Sequence, residues 1–163
     1  MILTIISKKY GIKEVIIDDE DYDKVKSYKW YINKDRSSNI FYVVHSSDNK
    51  HKYIMHRLIM DCPKGMIVDH INHNTLDNRK ENLRICTNSE NLRNSRLQKN
   101  NTTGYKGVFF NKTWNNYKVT IGTKKNRKYL GSYKNIEDAA KAYNEAAIKY
   151  YGEFACLNEV ENV

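Results

Sequence analysis

Acidic, histidine and amide side chains are concentrated in residues 68–94, between short apolar runs. Asp69 and His70 end one of these runs, and Asn82 and Asn91 follow later in the stretch. Imidazole can take a proton from water near neutral pH, while carboxylate and amide oxygens suit a hard divalent cation. Together these groups could hydrolyse a phosphodiester, which needs a base, positive charge at the phosphoryl oxygens and help for the departing 3′-oxygen.

The four residues can divide this chemistry among themselves. Successive residues at a strand end point in different directions, so His70 can face the attacking water while Asp69 faces a metal ion. Asn91 would complete the metal site, and Asn82 is placed to cross-link the intervening loop through its amide. Two oxygen ligands with substrate phosphate and water suit Mg²⁺, or alternatively Mn²⁺. The plain alternative is a structural loop of Asn and His.

Short elements must position these side chains. The apolar run at 66–68 predicts a strand that ends at the Asp-His pair, and Leu83 with Ile85 predicts a second strand after a polar loop. Thr87 or Asn88 can then cap a helix. The expected order is strand, strand, helix.

The pattern Asp-His-Ile-Asn, Leu-Asp-Asn-Arg, Glu-Asn-Leu-Arg, Asn-x-x-Asn resembles HNH endonucleases of the ββα-metal type, in particular homing endonucleases of phage and viral introns. The resemblance implies that His70 is the general base, that Asp69 and Asn91 hold one divalent cation and that Asn82 orders the loop. It also implies DNA cleavage to 5′-phosphate and 3′-hydroxyl ends. Asn91 stands where the motif's last letter is His, a replacement familiar in the homing subset.

Further residues around the motif are less specific. His56 follows a strand-like run, and either a structural or a catalytic role is open. Many relatives carry Gly where this chain has His73, which implies a loop residue with a minor DNA contact. Arginines in and around the motif are candidate DNA contacts or neutralise nearby groups: Arg57, Arg79, Arg84 and Arg93.

The charge of the chain also indicates a polyanionic partner. The formal net charge is +9 and the pI is about 9.3. Between Asn91 and Ile136 there is no acidic residue, and the basic ones are Arg93, Arg96, Lys99, Lys106, Lys112, Lys118, Lys124, Lys125, Arg127, Lys128 and Lys134. This basic block favours nucleic acid over an ordinary solvated surface.

Before the motif, residues 1–53 consist of short β-like runs separated by polar turns. The acidic cluster at 18–23 predicts the start of a short helix rather than a metal site. Tyr28, Trp30 and Ile32 alternate along a predicted strand and are expected in the core.

After the motif, the polar run 98–104 has the composition of a linker. Strands are predicted at 106–111, 117–122 and 128–133, the middle one with a core face and a face for water or phosphate. Asn135 predicts a helix start, and Gly152 predicts its end.

This second part resembles the plant Apetala and ethylene-response-factor DNA-binding domain, through Gly104-Tyr-Lys-Gly-Val, Trp114, Tyr129-Leu-Gly-Ser-Tyr and the alanine-rich helix. That family lays its three-stranded sheet in the major groove. Phe109, Asn111 and Gly122 depart from the plant pattern, so its base-specific readout does not transfer. The DNA contacts that the resemblance and the neighbouring charge imply are Lys106, Trp114, Lys118, Thr120, Arg127 and Tyr129.

The sequence thus predicts an α+β protein. Residues 1–97 form N-terminal strands plus an HNH nuclease module with its core at 55–97, 98–104 form a linker, and 105–163 form a three-stranded antiparallel sheet packed on one helix. The predicted function is a metal-dependent DNA endonuclease of the homing type, and the alternative is a non-catalytic, sequence-specific DNA-binding regulator.

The expected partner is double-stranded DNA, with no membrane, and the expected state is a monomer, with a dimer as the alternative. There is no apolar run of about 18 residues and no signal-peptide pattern, so a soluble, intracellular protein of a bacterial or virus-infected cell is expected. Cys62, Cys86 and Cys156 form no Cys-x-x-Cys pair and are expected to be reduced.

Overall fold

The computed structural model describes residues 1–35, 39–46, 52–123 and 126–160. The chain divides into two compact units, Met1–Asn88 and Ser89–Val163. Small antiparallel sheets and a few helices make up both units, which confirms the α+β class. The predicted linker at 98–104 lies inside the second unit. That this segment separates two domains stays a prediction. Within the described residues, no helix is long and apolar enough to cross a membrane.

The first unit begins with strands, as the β-like runs predicted. A two-stranded hairpin is followed by a short helix and an antiparallel three-stranded sheet. These elements are β1 (Ile2–Ser7), β2 (Gly11–Ile16), α1 (Tyr22–Val25), β3 (Tyr31–Lys34), β4 (Phe41–Ser46) and β5 (Lys52–Ile54).

The acidic cluster at 18–23 starts a helical segment, as predicted: a 3-10 turn at Asp19–Asp21 runs directly into α1. Its carboxylates also bind Lys80, which lies between the two predicted nuclease strands. Asp18 Oδ2 accepts from the Lys80 amide at 2.8 Å, and Asp21 Oδ1 lies 3.1 Å from Lys80 Nζ. The cluster therefore anchors the nuclease loop.

One expectation for this region is wrong. Tyr28 and Trp30 do not lie on a strand with Ile32, because β3 begins only at Tyr31. The chain turns after α1, where the Tyr28 amide and Trp30 Nε1 both donate to the carbonyl of Val25, at 3.1 and 2.9 Å. Ile32 enters the core, and the half-buried Trp30 ring packs against that core, as expected. The half-buried Tyr28 ring contacts Trp30 but is not part of the core cluster.

The nuclease motif folds in the predicted strand, strand, helix order. A short helix that the sequence did not predict, α2 (Met55–Ile59), comes first. It is followed by β6 (Ile67–His70), its antiparallel partner β7 (Leu83–Cys86), and α3 (Asn88–Arg93).

One core holds the first unit together. Val15 and Ile17 from the N-terminal strands and Met55 and Ile59 from α2 are at most 1% exposed. Val68 and Leu83 of the β6–β7 hairpin belong to the same cluster, whose other buried members are Ile5, Val25, Ile32 and Val43. Burial of these side chains stabilises the hairpin against the N-terminal strands, and both share one core.

After most of α3, the second unit contains a three-stranded antiparallel sheet covered by one helix, as predicted. Its elements are β8 (Val108–Asn111), β9 (Asn116–Ile121), β10 (Lys128–Tyr133) and α4 (Ile136–Tyr151), with β9 in the middle of the sheet. Asn135 accepts from the amides of Glu137 and Asp138 at the start of α4, at 2.7 and 3.1 Å, and Gly152 ends the helix at φ +53°. Both predicted helix limits are confirmed.

The sheet's inner face packs on small residues of α4. Val108 and Val119 are fully buried against Ala139 and Ala147, while Lys118 is exposed. Thr120 was expected on the open face, but it is only 7% exposed because it lines a groove whose other wall includes residues 92–102. Lys124 and Lys125 of the basic block lie outside the described residues.

Candidate active site

The Asp-His pair lies at the end of β6, where the strand is paired with β7. In the antiparallel register Asp69 is opposite Arg84, and His70 is opposite Leu83. Asp69 and His70 are 7% and 5% exposed. Because the hairpin belongs to the core of the first unit, the positions of both side chains are fixed by packing.

Asn82 spans the loop between the two strands. Its Oδ1 accepts from the Asn72 amide at 2.9 Å, and its Nδ2 donates to the Asp77 carbonyl at 2.8 Å. The Asn82 carbonyl also accepts from the Ile71 amide at 2.9 Å. Asn82 is 5% exposed, so these hydrogen bonds are shielded from water and hold the loop to the end of β6.

The N-terminal strands hold the same loop from the other side. The Asn78 amide donates to the Ile16 carbonyl at 2.7 Å, and the Ile16 amide donates to the Leu76 carbonyl at 2.9 Å. Ile16 and Asp77 form an isolated parallel bridge. Strand β2 therefore fixes the backbone on which the Asn78 side chain is carried.

His70 is held by Asn78, a residue that the sequence analysis did not single out. His70 Nε2 lies 3.1 Å from Asn78 Oδ1, and Asn78 is 1% exposed. Asn78 Nδ2 is directed to the sulfur of Met55, so the oxygen faces the histidine. An amide oxygen only accepts hydrogen bonds, so Nε2 carries the proton and the imidazole lone pair is on Nδ1.

His56, on α2, packs edge-on against His70. The ring centroids are 4.9 Å apart at an interplanar angle of 87°, and the Tyr42 ring contacts His56 from another side. Burial, with the neighbouring His70 and Arg57, lowers the pKa of His56 from 6.5 to about 3. Burial also lowers the pKa of His70. Both rings are therefore neutral near pH 7, which is the state that a general base requires.

Asp69 is held by an arginine. Arg84 Nε and Nη2 donate to Asp69 Oδ2 at 3.0 and 2.7 Å, and the two side chains are 10% and 8% exposed. Arg79 makes a similar pair of hydrogen bonds to Asp77, both at 2.8 Å, and lowers the pKa of that carboxyl. Both arginines thus orient carboxylates of the motif.

The donor chemistry of the predicted metal site fits a hard divalent cation. Asp69 supplies carboxylate oxygens, which are the ligands that such ions prefer. Asn91, on α3, supplies an amide oxygen and belongs to the second unit. In the described part of the chain, no group of three or more His, Cys, Asp or Glu side chains is placed to hold a metal. Any ion here would keep several waters, as Mg²⁺ usually does.

Three other predicted DNA contacts, Arg57, Arg93 and Lys106, direct their charged groups to partners within the protein. Arg57, half-buried, donates to the carbonyls of Met66 and Pro63 at 2.7 and 3.3 Å. Arg93 stacks its guanidinium over the Tyr151 ring at 5.2 Å. Lys106 directs its ammonium to backbone carbonyls of Arg93 and Ser95.

Thr120 is buried in the groove described above, and the other remaining predicted contacts are on or next to the sheet surface that faces away from α4. We call this surface the outer face and define it by Phe109, Lys118 and Tyr129 with Trp114 and Arg127. Trp114 is 75% exposed and Tyr129 is 55% exposed. Lys118 Nζ lies 5.4 Å from the centroid of the Tyr129 ring, and the Arg127 guanidinium carbon lies 5.8 Å from that of Phe109. The outer face thus alternates cations with aromatic rings.

His73 has a backbone conformation that favours glycine. Its φ is +61°, in the left-handed region where a side chain is disfavoured. Its amide donates to the His70 carbonyl at 3.0 Å, so the residue makes a tight turn directly after His70.

Comparison with known proteins supports the motif assignment. The model of the HNH endonuclease family matches residues 53–93. An uncharacterized HNH endonuclease of Acanthamoeba polyphaga mimivirus is 33% identical over 142 residues, which is 84% of this chain and 70% of the viral protein.

Two further relatives cover less of this chain. Protein 3.8 of Escherichia phage T7 is 31% identical over 93 residues, 57% of this chain and 76% of the phage protein. A prophage-derived protein of Bacillus subtilis, whose name assigns it to the HNH homing endonucleases, is 44% identical over 52 residues, 29% of this chain and 30% of that protein. No solved structure gives a significant match.

Proposed function

Because this chain belongs to the HNH endonuclease family, we propose that it hydrolyses phosphodiester bonds of double-stranded DNA in the manner of a homing endonuclease. The proposed products have 5′-phosphate and 3′-hydroxyl ends. The observation that carries the proposal is the buried His70, whose Nε2 lies 3.1 Å from Asn78 Oδ1, next to an Asp69 that is oriented by Arg84.

His70 acts as the general base. Its Nδ1 carries the lone pair, so this atom takes the proton from the attacking water. His56 covers one edge of the His70 ring. Because its pKa is about 3, His56 stays neutral, so it does not take the proton from water and carries no charge that would bind the phosphate. Asn82 holds the loop that follows His70 through two hydrogen bonds. A fixed loop helps to keep the His70 ring in one position.

Asp69 and Asn91 would hold one divalent cation, Mg²⁺ or Mn²⁺. The bound ion supplies positive charge to the phosphoryl oxygens and to the departing 3′-oxygen. Arg84 holds the Asp69 carboxylate in one orientation through its hydrogen bonds. Because Arg84 is only 9% exposed, it serves the metal ligand rather than the DNA backbone.

The second unit would supply the binding surface, through its outer face. Lys118 and Arg127 neutralise phosphates, while Trp114 and Tyr129 offer exposed rings to sugars or bases. This assignment follows the resemblance to the plant DNA-binding domain and is supported by the acid-free basic block. A small nuclease motif has little surface of its own, so a separate sheet can provide affinity.

A single nuclease motif in a monomer cuts one strand at a time, so nicking is the expected product. The test is incubation of the purified protein with supercoiled plasmid and Mg²⁺ or EDTA, followed by DNA ligase. We expect nicked circles only with the metal, and resealing by ligase because nicks with 5′-phosphate and 3′-hydroxyl ends are its substrates. Nicks that ligase does not reseal would contradict the proposed products, and no nicking at all would leave a non-catalytic DNA-binding protein.

A further inference from the structure

Lys106 lies in the short segment before β8, where the chain is held unusually tightly. The Lys106 amide donates to Asn158 Oδ1 at 2.6 Å, and Asn158 Nδ2 donates to the Lys106 carbonyl at 3.1 Å. Asn158 is in turn tied to Asn144 of α4, since the Asn158 amide donates to Asn144 Oδ1 at 2.8 Å and Asn144 Nδ2 donates to the Asn158 carbonyl at 2.9 Å. The amide and the carbonyl of Lys106 are therefore both tied to α4 through Asn158.

The next residue, Gly107, adds to this rigidity. It has φ +75°, and a β-carbon built on it would lie 2.1 Å from the Tyr143 ring. The Gly107 carbonyl accepts from the Thr120 amide of β9 at 2.9 Å. Lys106 thus extends from a point at which sheet and helix are already in close contact.

The side chain of Lys106 reaches the end of α3. Its Nζ donates to the carbonyl of Arg93 at 2.6 Å and to that of Ser95 at 2.7 Å. The last carbonyls of a helix have no partner within the helix, and a cation there also interacts favourably with the helix dipole. Two of the three N–H groups of the ammonium are used in this way. Burial lowers the pKa of Lys106, as expected for an ammonium withdrawn from water.

A second contact attaches the same helix. The Arg93 guanidinium lies 5.2 Å from the centroid of the Tyr151 ring, at the end of α4. One attachment therefore uses the backbone of Arg93 and the other its side chain. Both end on the body formed by the sheet and α4, in agreement with the division of the chain at Ser89.

We propose that Lys106 is a positioning residue, which fastens α3 to the sheet-and-helix body of the second unit and so holds Asn91 in place, and that it is not a phosphate contact. The part that concerns Asn91 rests on the proposed function. The attachment of α3 rests only on the hydrogen bonds above. The sequence predicted that Lys106 contacts DNA, whereas its hydrogen bonds to Arg93 and Ser95 support the attachment of α3 instead. Its partners are main-chain carbonyls, which no sequence pattern reveals.

The test compares Lys106→Met with Lys118→Met. Methionine keeps most of the apolar stem of lysine and removes the ammonium. Lys118 is the matched control, because it is a lysine of the same unit that is exposed on the outer face of the sheet. Three quantities are measured: hydrogen exchange of the amides at 90–97, affinity for duplex DNA as a function of salt, and the rate of plasmid nicking.

For Lys106→Met we expect exchange at 90–97 to become about tenfold faster or more. DNA affinity and its salt slope should stay as in the parent, and nicking should slow about tenfold. For Lys118→Met we expect unchanged exchange and a salt slope flatter by about one. Tyr151→Leu should also speed exchange at 90–97 without changing the salt slope, and it replaces Lys106→Met if that variant does not fold.

Two results would overturn the proposal. One is a salt slope of Lys106→Met flattened as in Lys118→Met, with exchange unchanged, since Lys106 would then be a phosphate contact. The other is unchanged exchange together with unchanged nicking. If the parent does not nick DNA, the proposed function fails, but the exchange measurement still decides whether Lys106 attaches α3.

Discussion

At the scale of single residues, the chemistry of His70 depends on the side chains that contact its ring. Asn78 determines which nitrogen carries the proton, and His56 fills the space at the ring edge. His56 lies outside the quoted motif, and Asn78 lies in its Leu-Asp-Asn-Arg segment, where the sequence assigned it no role. A base of this kind is effective only when its lone pair points at the water, so the neighbours matter as much as the imidazole itself.

Asn78→Ala should slow cleavage by about 10- to 100-fold while DNA affinity is retained, because Nε2 loses its acceptor and the ring is no longer held in one tautomer. Asn78→Asp keeps an oxygen acceptor and should recover part of the rate. The ¹⁵N spectrum of the His70 ring measures the cause directly: we expect an Nε2-protonated ring in the parent and in Asn78→Asp. Equal rates for Asn78→Ala and the parent would contradict the role of Asn78.

His56 should make stability depend on pH. Its pKa is about 3 in the folded protein and 6.5 ordinarily, so below pH 6.5 the unfolded chain binds a proton that the folded chain does not. The contribution is fully present above pH 6.5 and is lost progressively as the pH falls towards 3.

Urea unfolding at pH 7 and pH 5.5 measures this effect. Between these values the parent should lose about 1 kcal/mol more than His56→Phe, which has no group to titrate. Comparison with the variant removes the contributions of all other groups. Identical pH dependence in the two proteins would show that His56 is not buried in its neutral form.

At the scale of elements, regular patterns with strong end signals were predictable, and short elements were not. Helix α4 was predicted at both ends because Asn135 and Gly152 are specific signals and its alanines recur at helical spacing. Helix α2 has only five residues and no side-chain cap. Because it directly follows β5, its apolar residues are indistinguishable in sequence from a continuation of that strand.

The close approach of β8 and α4 gives a prediction at this scale. In Gly107→Ala, the new methyl would lie 2.1 Å from the Tyr143 ring and 2.7 Å from the Thr120 carbonyl oxygen, at a φ of +75°. We expect a loss of about 2–5 kcal/mol in the free energy of unfolding.

Gly104→Ala is the control for this substitution. Gly104 has nearly the same φ, +79°, but nothing within 4 Å of the added carbon. Backbone strain alone should cost about 1–2 kcal/mol there. Thermal or urea unfolding of both variants separates the two effects, and equal losses would mean that the second unit is not packed as closely as described.

At the scale of the whole molecule, the charge distribution is the main support for the proposal that the second unit binds DNA. The basic block has no acidic residue, whereas the rest of the chain has a net charge near −2, the difference between the total of +9 and the block's +11. Affinity for DNA should therefore depend strongly on salt and on residues of the outer face.

Replacing both Lys118 and Arg127 with alanine should weaken binding and flatten the plot of log affinity against log salt by about two, one for each lost phosphate contact. Lys141→Ala is the control, because Lys141 is exposed on α4 and not on the outer face. Fluorescence anisotropy with a labelled duplex at several salt concentrations measures the slopes. A larger effect of Lys141 would place the DNA on the other side of the unit.

The sequence was sufficient for the α+β class and for the strand, strand, helix order of the motif, since these follow from local patterns and a family resemblance. It was not sufficient for roles that depend on tertiary contacts. Asn78 is one of several asparagines in its loop and is distinguished only by its contact with His70. The division of the chain at Ser89, inside α3, has no compositional signal, whereas the polar run at 98–104 does.

The most direct test of the central claim is plasmid nicking by His70→Ala and by His73→Ala in Mg²⁺. The two histidines are close in sequence, with His70 at the end of β6 and His73 in the loop that follows, but only His70 is proposed as the base. We predict that His70→Ala binds duplex DNA as the parent does and loses nicking by about 100-fold or more, while His73→Ala nicks at close to the parent rate. Nicking by His70→Ala at the parent rate would contradict the account.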